Sequence, residues 1–515
     1  MILRRSVLIC LAGTLLVPSA AGAQQRVFFG NLHSHTSYSD GSGTPQQAYV
    51  QARDQGQLHF LAITEHNHAQ AESGAAADRR DGVLIATNPS LYVGPQAEAL
   101  IPTANALTQN GQFVALYGQE FSSISKGNHV NVYAVNDVIP VANGEFDDLV
   151  TWLEQHPASD NAAPIVQFNH PARNRPPHEY GEDDFSAADW LTRFGRFVSL
   201  IEVWNGPALT RTNGHEPNEV MEDQFLAYLN RGFRLAPTAD QDNHYFTWGT
   251  ITEARTAVIA PSLTSGDLLA ALRARHVYAT EDSNLELIFR VNGALQGDVI
   301  TPAPAIGSEL DIQFTVHDPD EVEAAYEIEV YSDDGPGGAV ATLVDVVSTT
   351  GNTTSGQPNA IAGIRFRGPG QYVLFKVRQI GEHGNDDHAW TAPVWFEGGP
   401  TPPAPASPQL RITSLLPNPA GDELEDESVT IRNTGSTPVN LSGWTLTDPT
   451  GRTWSLATVG TIPAGANRTV LRQGQSMALN NGGDTVKLVA PDGTIVHQVT
   501  YQSTASGVTI SVPPE

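Results

Sequence analysis

The sequence predicts an α/β barrel followed by two β-sandwiches. Seven apolar, strand-like runs occur in the first half of the chain, and segments with the spacing of amphipathic helices lie between them. After Asn284 the helical spacing gives way to short alternating runs separated by Gly, Pro, Asp and Asn, a pattern typical of a small β-sandwich. The proline-rich stretch GGPTPPAPASPQ then separates this part from a final segment of short strands.

The first 23 residues have the layout of a cleavable secretory signal. Arg4 and Arg5 precede the apolar stretch VLICLAGTLLV, and Ala21-Gly22-Ala23 is suited to cleavage. The apolar stretch is shorter than the roughly 20 residues that a membrane-spanning helix needs, and no later segment is long enough either. We therefore expect residues 1–23 to be removed and the protein to be secreted into the periplasm or the medium.

The chain is strongly acidic and has one cysteine. Because Cys10 lies within the signal, any metal bound by the mature protein has nitrogen and oxygen ligands. Removal of Arg4 and Arg5 from the 28 Lys and Arg leaves 26 basic residues against 56 acidic ones, a net charge of about −30 with His neutral. A field of this sign repels polyanions and argues against nucleic-acid binding. Bound cations would reverse the sign locally and admit a small anionic or ester substrate.

The alternation of strands and helices predicts a single large domain over residues 24–283. The strand-like runs are VFFGNLHSH, LHFLAITEH, FVALYGQE, HVNVYAV, PIVQFNH, VSLIEVWN and RLAPTADQDNH. The segments with helical spacing include TPQQAYVQARDQG, EFDDLVTWLEQH, PNEVMEDQFLAYLNRG and SGDLLAALRAR. This length is normal for one barrel built from βα units.

The strand-like runs stop or start at residues that bind metal ions. The residues supplied in this way are His33, His35, Glu120, His129, His170, Asp242 and His244, with Asp40 and His66 nearby. Imidazole and carboxylate groups hold zinc, manganese or iron. A parallel barrel gathers the C-terminal ends of its strands on one face, and side chains two apart on a strand point the same way. The sequence therefore predicts a metal cluster on that face.

These residues lie in a set of motifs that resembles the PHP (polymerase and histidinol phosphatase) superfamily of metal-dependent hydrolases. The motifs NLHSHTSYSDG, ITEHN, GQE, GNHV, FNHP and DQDNH occur in the family's order and span almost the whole first domain. The resemblance implies a distorted seven-stranded βα barrel with two or three divalent ions (Zn, Mn or Fe) at its C-terminal face. IEVWNG and ALRARHVYATED resemble an exported branch that includes carbamate-ester hydrolases.

The resemblance also implies a ligand set for each ion. The first ion would be held by His33, His35, Glu120 and Asp242, the second by Glu120, His129 and His170, and the third by Asp40, His66 and His244. Glu120 would bridge the first two ions. The family often has Asp before the His of its second motif, whereas this chain has Glu65, a change that leaves the ligand His66 intact.

Two cations that share a carboxylate can share a water and lower its pKa towards neutrality, so hydroxide is the expected nucleophile. The same ions would polarise the P=O or C=O bond under attack. His244 or His66 would protonate the leaving oxygen. Arg173 is a candidate for substrate binding because guanidinium groups bind phosphate bidentately, and Asn205 is another because it ends the run VSLIEVWN.

The C-terminal half predicts two further parts joined by a linker. Residues 284–397 carry LDIQFTV, YEIEVYS and YVLFKVR and predict a β-sandwich, and residues 398–408 predict a proline-rich linker. Residues 409–515 resemble the lamin-tail domain, an immunoglobulin-like fold. The residues that carry this resemblance are Pro417-Asn418-Pro419, Asn433, Gly443-Trp444, Asp448, Gly451, Pro463, Gly465 and Asn481 to Asp484. The resemblance implies a module that binds a surface, a polymer or another protein.

We therefore expect a secreted, multinuclear metal-dependent hydrolase that cleaves phosphate monoesters or small phosphodiesters. The first alternative is a carbamate or carboxylic ester hydrolase that uses the same metal site. The second is a non-enzymatic attachment module, which predicts missing ligands, whereas every expected ligand position is filled in this chain.

Overall fold

The computed structural model describes residues 25–68, 84–96, 98–122, 129–171, 180, 189–206, 219–333, 341–354, 356–381, 386–398, 410–435, 438–491 and 493–513. The chain divides into two compact units, Met1–Gly399 and Pro400–Glu515. The predicted signal, Arg173 and most of the predicted linker lie outside the described residues. Among the helices that are described, none is long and apolar enough to cross a membrane.

All seven predicted runs form strands of one large sheet. The strands of this part are β1 (Arg26–Asn31), β2 (Phe60–His66), β3 (Val114–Phe121), β4 (Val130–Tyr133), β5 (Ile165–Phe168), β6 (Val198–Asn205), β7 (Glu219–Val220), β8 (Ala236–Asp240), β9 (Arg255–Ala260) and β10 (Val277–Thr280). Their order is β10-β9-β1-β2-β3-β4-β5-β6, and β7 and β8 both pair with β6. The predicted α/β class is confirmed.

Among the seven predicted runs, one strand departs from the parallel arrangement that we expected, and the added strands β7, β9 and β10 also pair antiparallel. The pairs β1/β2, β2/β3, β5/β6 and β6/β8 are parallel, but β4 runs antiparallel to both β3 and β5. The connection from Phe121 to Val130 is shorter than the dozen or so residues that a parallel crossover requires. As a result, the start of β4 lies at the same edge as the ends of its neighbours, and His129 is placed beside Glu120.

Side-chain hydrogen bonds join β8 to β9. Thr256 Oγ1 donates to Asp240 Oδ1 at 3.0 Å and to the Ala239 carbonyl at 3.1 Å, and the Ala239 N–H donates to Thr256 Oγ1 at 3.0 Å. Asp240 Oδ1 also accepts the Leu32 N–H at 2.7 Å. The end of β8 therefore lies against the residues that directly follow β1. A backbone ladder between β8 and β9, which would close the barrel, is not found among the described strands.

Helices cover the outer face of these strands. They are α1 (Pro45–Asp54), α2 (Ser90–Val93), α3 (Leu100–Leu107), α4 (Phe146–Gln155), α5 (Glu222–Asn230) and α6 (Ser265–Ala274), with a π-helical turn at Trp190–Phe194. Helix α1 begins with a capping box between Thr44 and Gln47 and has Pro45 at its first turn. Its buried face joins an apolar core that includes Leu61 and Ile63 of β2. Every residue of β2 is buried, as expected for a strand covered on both faces.

The sheet continues into a β-sandwich within the first unit. The further strands are β11 (Glu286–Val291), β12 (Ala294–Leu295), β13 (Val299–Ile300), β14 (Ile312–His317), β15 (Ala325–Ser332), β16 (Thr342–Thr350), β17 (Asn359–Ile361), β18 (Tyr372–Ile380), β19 (Asp387–Thr391) and β20 (Val394–Phe396). Strand β10 pairs with β19, and a second sheet has the order β12-β11-β14-β17. Phe289 stacks on Phe375 with ring centres 4.2 Å apart, which joins the two sheets. The predicted boundary at residue 283 thus falls inside one compact unit.

The second unit consists of short strands around two buried tryptophans. Its strands are β21 (Leu410–Leu416), β22 (Ser428–Asn433), β23 (Val439–Asn440), β24 (Thr445–Thr447), β25 (Thr453–Ser455), β26 (Thr461–Ile462), β27 (Asn467–Leu471), β28 (Gly483–Val489), β29 (Ile495–Gln502) and β30 (Ile510–Ser511), with helix α7 at Glu423–Asp426. The two four-stranded sheets have the orders β27-β22-β21-β30 and β25-β24-β28-β29. Trp444 and Trp454 belong to the core of this unit.

Replacing Trp454 by alanine should destabilise the second unit by about 3–5 kcal/mol, because the side chain is fully buried and the truncation leaves a large cavity. It also removes the hydrogen bond from Trp454 Nε1 to the Met477 carbonyl, which is 2.6 Å long. Denaturant unfolding, monitored by hydrogen exchange in peptides from each unit, measures the change in the free energy of unfolding of the second unit. Leu471→Ala is the control, since this side chain is 42% exposed and should change stability little. Equal effects of the two substitutions would contradict the described packing.

Candidate metal centre

The residues predicted as metal ligands meet at one edge of the large sheet. His33, His35 and Asp40 follow β1, His66 ends β2, Glu120 lies in β3, His129 precedes β4, His170 follows β5, and Asp242 and His244 follow β8. The loops after β1 and β8 are bonded together. The His35 N–H donates to the Asn243 carbonyl and the Ser42 N–H to the His244 carbonyl, both at 2.8 Å. Eight of these nine residues fall into three groups whose nitrogen and oxygen atoms lie within 4.8 Å of one another.

The first group consists of His33, His35, Glu120 and Asp242. His33 Nε2 lies 3.2 Å from Glu120 Oε1 and 3.1 Å from Asp242 Oδ1. His35 Nε2 lies 3.2 Å from Glu120 Oε2 and 3.0 Å from Asp242 Oδ1. Two imidazoles and two carboxylates thus face one small volume. This is the set that the family resemblance implies for the first ion.

The second group differs from the implied set in one member. It contains His66, Glu120 and His129, with His66 Nδ1 3.1 Å from Glu120 Oε2 and His129 Nδ1 3.0 Å from Glu120 Oε1. His170, which the resemblance implies here, lies slightly farther away, with Nε2 3.4 Å from Glu120 Oε1. Glu120 is shared by the first two groups, as a bridging carboxylate would be.

The third group is centred on Asp40. It contains His35, Asp40, His66 and His244, so it includes the three implied residues and adds His35. His244 Nε2 lies 3.1 Å from Asp40 Oδ1, and His66 Nε2 lies 3.5 Å from Asp40 Oδ2. His35 Nδ1 is 3.8 Å from Asp40 Oδ1. Since His35, His66 and Glu120 each belong to two groups, the donors form one continuous array.

The donor atoms fit divalent ions. Four atoms that face this array, His33 Nε2, His35 Nε2, Asp40 Oδ1 and Asp242 Oδ1, are buried and have no well-directed hydrogen bond to any described residue. A buried polar atom left in this state costs on the order of 1–3 kcal/mol. Cations bound in the first and third groups would satisfy all four atoms, and a set of imidazoles and carboxylates suits zinc, manganese or iron.

The electrostatics of the array also favour bound cations. Burial lowers the pKa of His33, but Asp242 and Glu120 outweigh this effect and hold that pKa well above its ordinary value. Burial also opposes a charge on His244, yet Asp40 raises the pKa of His244 to about 9. In turn, His33 and His129 overcome the desolvation of Glu120 and hold its pKa well below the usual range. The carboxylates thus attract positive charge, and a bound divalent ion would displace protons from the imidazoles.

Glu202 orients two of the imidazole residues. It accepts a hydrogen bond from His33 Nδ1 at 2.7 Å, which leaves His33 Nε2 facing the array, and it also accepts the His170 N–H. Asn205 Nδ2 donates to Glu202 Oε2 at 2.8 Å. Asn205, which we expected to contact substrate, is therefore directed at Glu202, and its contact with substrate stays a prediction.

Glu65 holds the loop that carries His35. It is fully buried and accepts the Thr36 N–H at 3.0 Å together with the hydroxyls of Thr36 and Ser39. Ser39 Oγ in turn lies 3.3 Å from His35 Nδ1. The glutamate that stands where the family often has aspartate thus positions a ligand residue without joining the array itself.

One residue of the array, Asp242, and the neighbouring His170 have unusual backbone conformations. His170 has φ 28° and Asp242 has φ 46°, in the left-handed region that residues other than glycine rarely adopt. Such conformations cost on the order of 1–3 kcal/mol each and persist only where the surroundings hold them. The Glu202 carboxylate binds the His170 N–H, and the Asp242 carbonyl accepts from His244 Nδ1 at 2.7 Å. Strain held in this way is typical of functional sites.

Sequence reasoning did not identify three residues that support the array. These are Glu202, Asn169, whose Nδ2 donates to Glu120 Oε1 at 2.8 Å, and Asp240. A signal for two of them exists in the sequence. Glu202 is a lone acid inside an apolar run and Asp240 ends another, and a buried carboxylate is costly unless it has hydrogen-bond partners.

Comparisons with known proteins bear mainly on the second unit. Residues 403–503 match the lamin tail domain family, which confirms the resemblance at the C-terminus. No curated protein matches the sequence. Two of the solved structures that resemble this chain are predicted or candidate phosphoesterases. One is a two-domain protein from Bacteroides vulgatus ATCC 8482 that contains a predicted PHP-like metal-dependent phosphoesterase, with 12% identity, a TM-score of 0.36 and coverage of 87% of this chain and 95% of that chain.

The other is a candidate metal-dependent phosphoesterase from Bifidobacterium adolescentis ATCC 15703, with 15% identity and a TM-score of 0.22. The match covers 42% of this chain and 87% of that chain. Both TM-scores are below 0.5, a level at which similarity between structures does not by itself establish a shared function.

Replacing Glu202 by glutamine should weaken binding of divalent metal by about 10–100-fold, because it removes the charged acceptor that orients His33 and holds the backbone of His170. Competition with a chelator of known affinity, using Zn²⁺ and Mn²⁺ in turn, measures the change. Glu219→Gln on the neighbouring strand is the matched control, since that side chain is exposed. Unchanged affinity in Glu202→Gln would show that this carboxylate does not support the ligands.

In chelator-treated protein, the free energy of unfolding should fall as the pH rises through about 9. His244 has a folded pKa of about 9 and an ordinary value of 6.5, so its contribution is complete below the ordinary value and is lost as the pH passes the folded one. Metal-loaded protein should lack this dependence, because ions bind deprotonated imidazole. Denaturant unfolding at pH values from below 6.5 to above about 9 measures this dependence, and His244→Gln is the control. A flat profile for the chelated parent protein would contradict the expectation.

Proposed function

We propose that the chain is a secreted metal-dependent hydrolase that cleaves phosphate monoesters or small phosphodiesters. The observation that carries the proposal is the array of three overlapping donor groups, two of which share the buried carboxylate of Glu120. Divalent ions bound there would supply Lewis acidity and would activate water at neutral pH. The order of the sequence motifs supports this reading, and the layout of residues 1–23 supports secretion.

The residues of the chain have separate tasks in this proposal. Glu120 and Asp242 supply the negative charge that would hold divalent cations between them, and Glu120 is only 1% exposed, so little water screens its charge. Such cations would supply local positive charge that an anionic ester needs to approach a protein with a net charge of −28.

His244 is the better placed of the two residues expected to protonate the leaving oxygen. His66 belongs to two donor groups, whereas His244 belongs to one. The Nδ1 of His244 is held by the Asp242 carbonyl at 2.7 Å, so its Nε2 faces Asp40 and the interior of the site. While no ion occupies the third donor group, this fixed imidazole keeps one nitrogen directed at the site and suits proton transfer at that atom.

A second candidate function is hydrolysis of carbamate or carboxylic esters at the same site. One observation favours it: among the described residues, only histidines form ion pairs with Asp40, Glu120 and Asp242, and no lysine or arginine does. Phosphate recognition commonly uses arginine, and Arg173, the candidate for that task, lies outside the described residues. An uncharged ester would not require such a cation.

The lamin tail domain adds an attachment function to this proposal. The family match covers residues 403–503, and the array lies in the other compact unit. We therefore assign binding of a surface, a polymer or another protein to residues 409–515 and chemistry to the preceding unit.

Turnover of p-nitrophenyl phosphate, its bis ester and a naphthyl carbamate by the full chain tests the proposal. Phosphate esters should be preferred, and Glu120→Gln should lower kcat by at least about 100-fold, because the shared carboxylate is lost. The exposed Glu219→Gln variant should keep its activity. A preference for the carbamate would support the second candidate, and unchanged turnover in Glu120→Gln would overturn both.

A further inference from the structure

A second polar cavity lies at the other end of the strands. Its volume is about 460 Å³, and its walls come from the segments just before β5 and β8, from the beginning of β6 and from the end of α6. Because β5, β6 and β8 are parallel, their starts share the edge opposite the one that carries the metal ligands. The cavity is therefore separate from the array described above.

Four arginines line this cavity, namely Arg196, Arg234, Arg273 and Arg275. This is a high local density for a chain with 28 Lys and Arg against 56 Asp and Glu. Three of the four are neutralised. Arg196 lies 3.2 Å from Glu154, Arg273 lies 2.5 Å from Asp160, and Arg234 forms an ion pair with Glu397.

Arg275 is the exception. It forms no ion pair with a carboxylate of the described residues, and its guanidinium donates to two carbonyls, those of Gly297 at 3.3 Å and Arg273 at 3.2 Å. Its own backbone is left-handed, with φ 63°, and its guanidinium lies 5.4 Å from the ring centre of Trp395. Burial and the charge of Arg234 lower the pKa of Arg275 to about 10 against the opposing charge of Asp298, so Arg275 remains charged at neutral pH. The cavity thus contains one charged arginine that forms no ion pair with a described carboxylate.

The remaining walls are mainly apolar. Ser199 is 6% exposed and its Oγ is buried, so this hydroxyl does not face the cavity. Leu191, Phe197 and Phe233 supply apolar surface on the same cavity. A volume of this size accommodates a small molecule, and a few polar groups on an apolar wall are typical of a binding site for one.

We propose that this arginine cavity binds a small organic oxyanion, in which a phosphate or carboxylate group is attached to a compact apolar group. Arg275 supplies the positive charge that no ion pair neutralises and the N–H donors that its two carbonyl contacts leave unused. The apolar group packs against Leu191 and Phe197 on the cavity wall. The site makes no use of metal and does not depend on the function proposed for the other edge.

Calorimetric titration of the full chain with phenylphosphonate, a dianion that carries a ring, tests the proposal. The protein is treated with chelator first, so that the probe cannot bind a metal ion. Saturable binding is expected, with Arg275→Ala weakening the affinity by at least about tenfold, because a charge-assisted hydrogen bond is removed. Arg275→Lys should be intermediate, since it keeps the charge but loses the planar fork. Inorganic phosphate and benzoate distinguish the contributions of the dianion and of the ring.

Arg193→Ala is the matched control, because this arginine lies next to the cavity wall but pairs with Asp147 at 2.7 Å and does not line it. Its affinity should match that of the parent protein. Unfolding curves confirm that each variant folds. The proposal is overturned if phenylphosphonate does not bind, if Arg275→Ala and Arg275→Lys bind as the parent does, or if Glu120→Gln rather than Arg275→Ala abolishes binding.

Discussion

The burial of Glu120 among histidines is the constraint on which the rest of the site depends. This carboxylate is 1% exposed, and nitrogens of His33, His35, His66 and His129 lie between 3.0 and 3.2 Å from its oxygens. A buried carboxylate is tolerated only when positive charge compensates it. Protons on the imidazoles can provide that charge, and divalent ions would provide it with stronger bonds and with chemistry. The affinity of the site for cations thus follows from where the fold buries its acids.

The direction of the strands creates two chemically different ends in one unit. At the C-terminal edge, acids and histidines form an array that attracts cations. At the opposite edge, the starts of three parallel strands and the end of α6 bring four arginines together. The net charge of the chain predicts neither end, because it is a sum over all residues and does not show where they lie. The sheet separates the two ends, so each can bind its own class of ligand.

The strands and most of the residues at the metal-facing edge could be predicted from the sequence. A strand buried on both faces appears as an apolar run, and its end is marked by a change to polar residues. The four helical segments were located by their spacing for the same reason. The reversal of β4 could not be read in this way, because an apolar run has the same pattern in either direction. The sequence also could not show that His66 takes the place of His170 in the second donor group. That difference depends on a few tenths of an ångström in the distance to Glu120.

The sequence by itself determined the order of the elements, the residue types at the metal-facing edge and the character of the lamin tail module, because these are set by local patterns of polarity and by short motifs. The tertiary structure alone decided which donors lie close enough to share an ion, which carboxylates hold them in place, and that Arg275 forms no ion pair with a carboxylate of the described residues. Contacts of this kind join residues more than two hundred positions apart. They depend on strand direction, register and side-chain rotamer, which the sequence shows only through the fold.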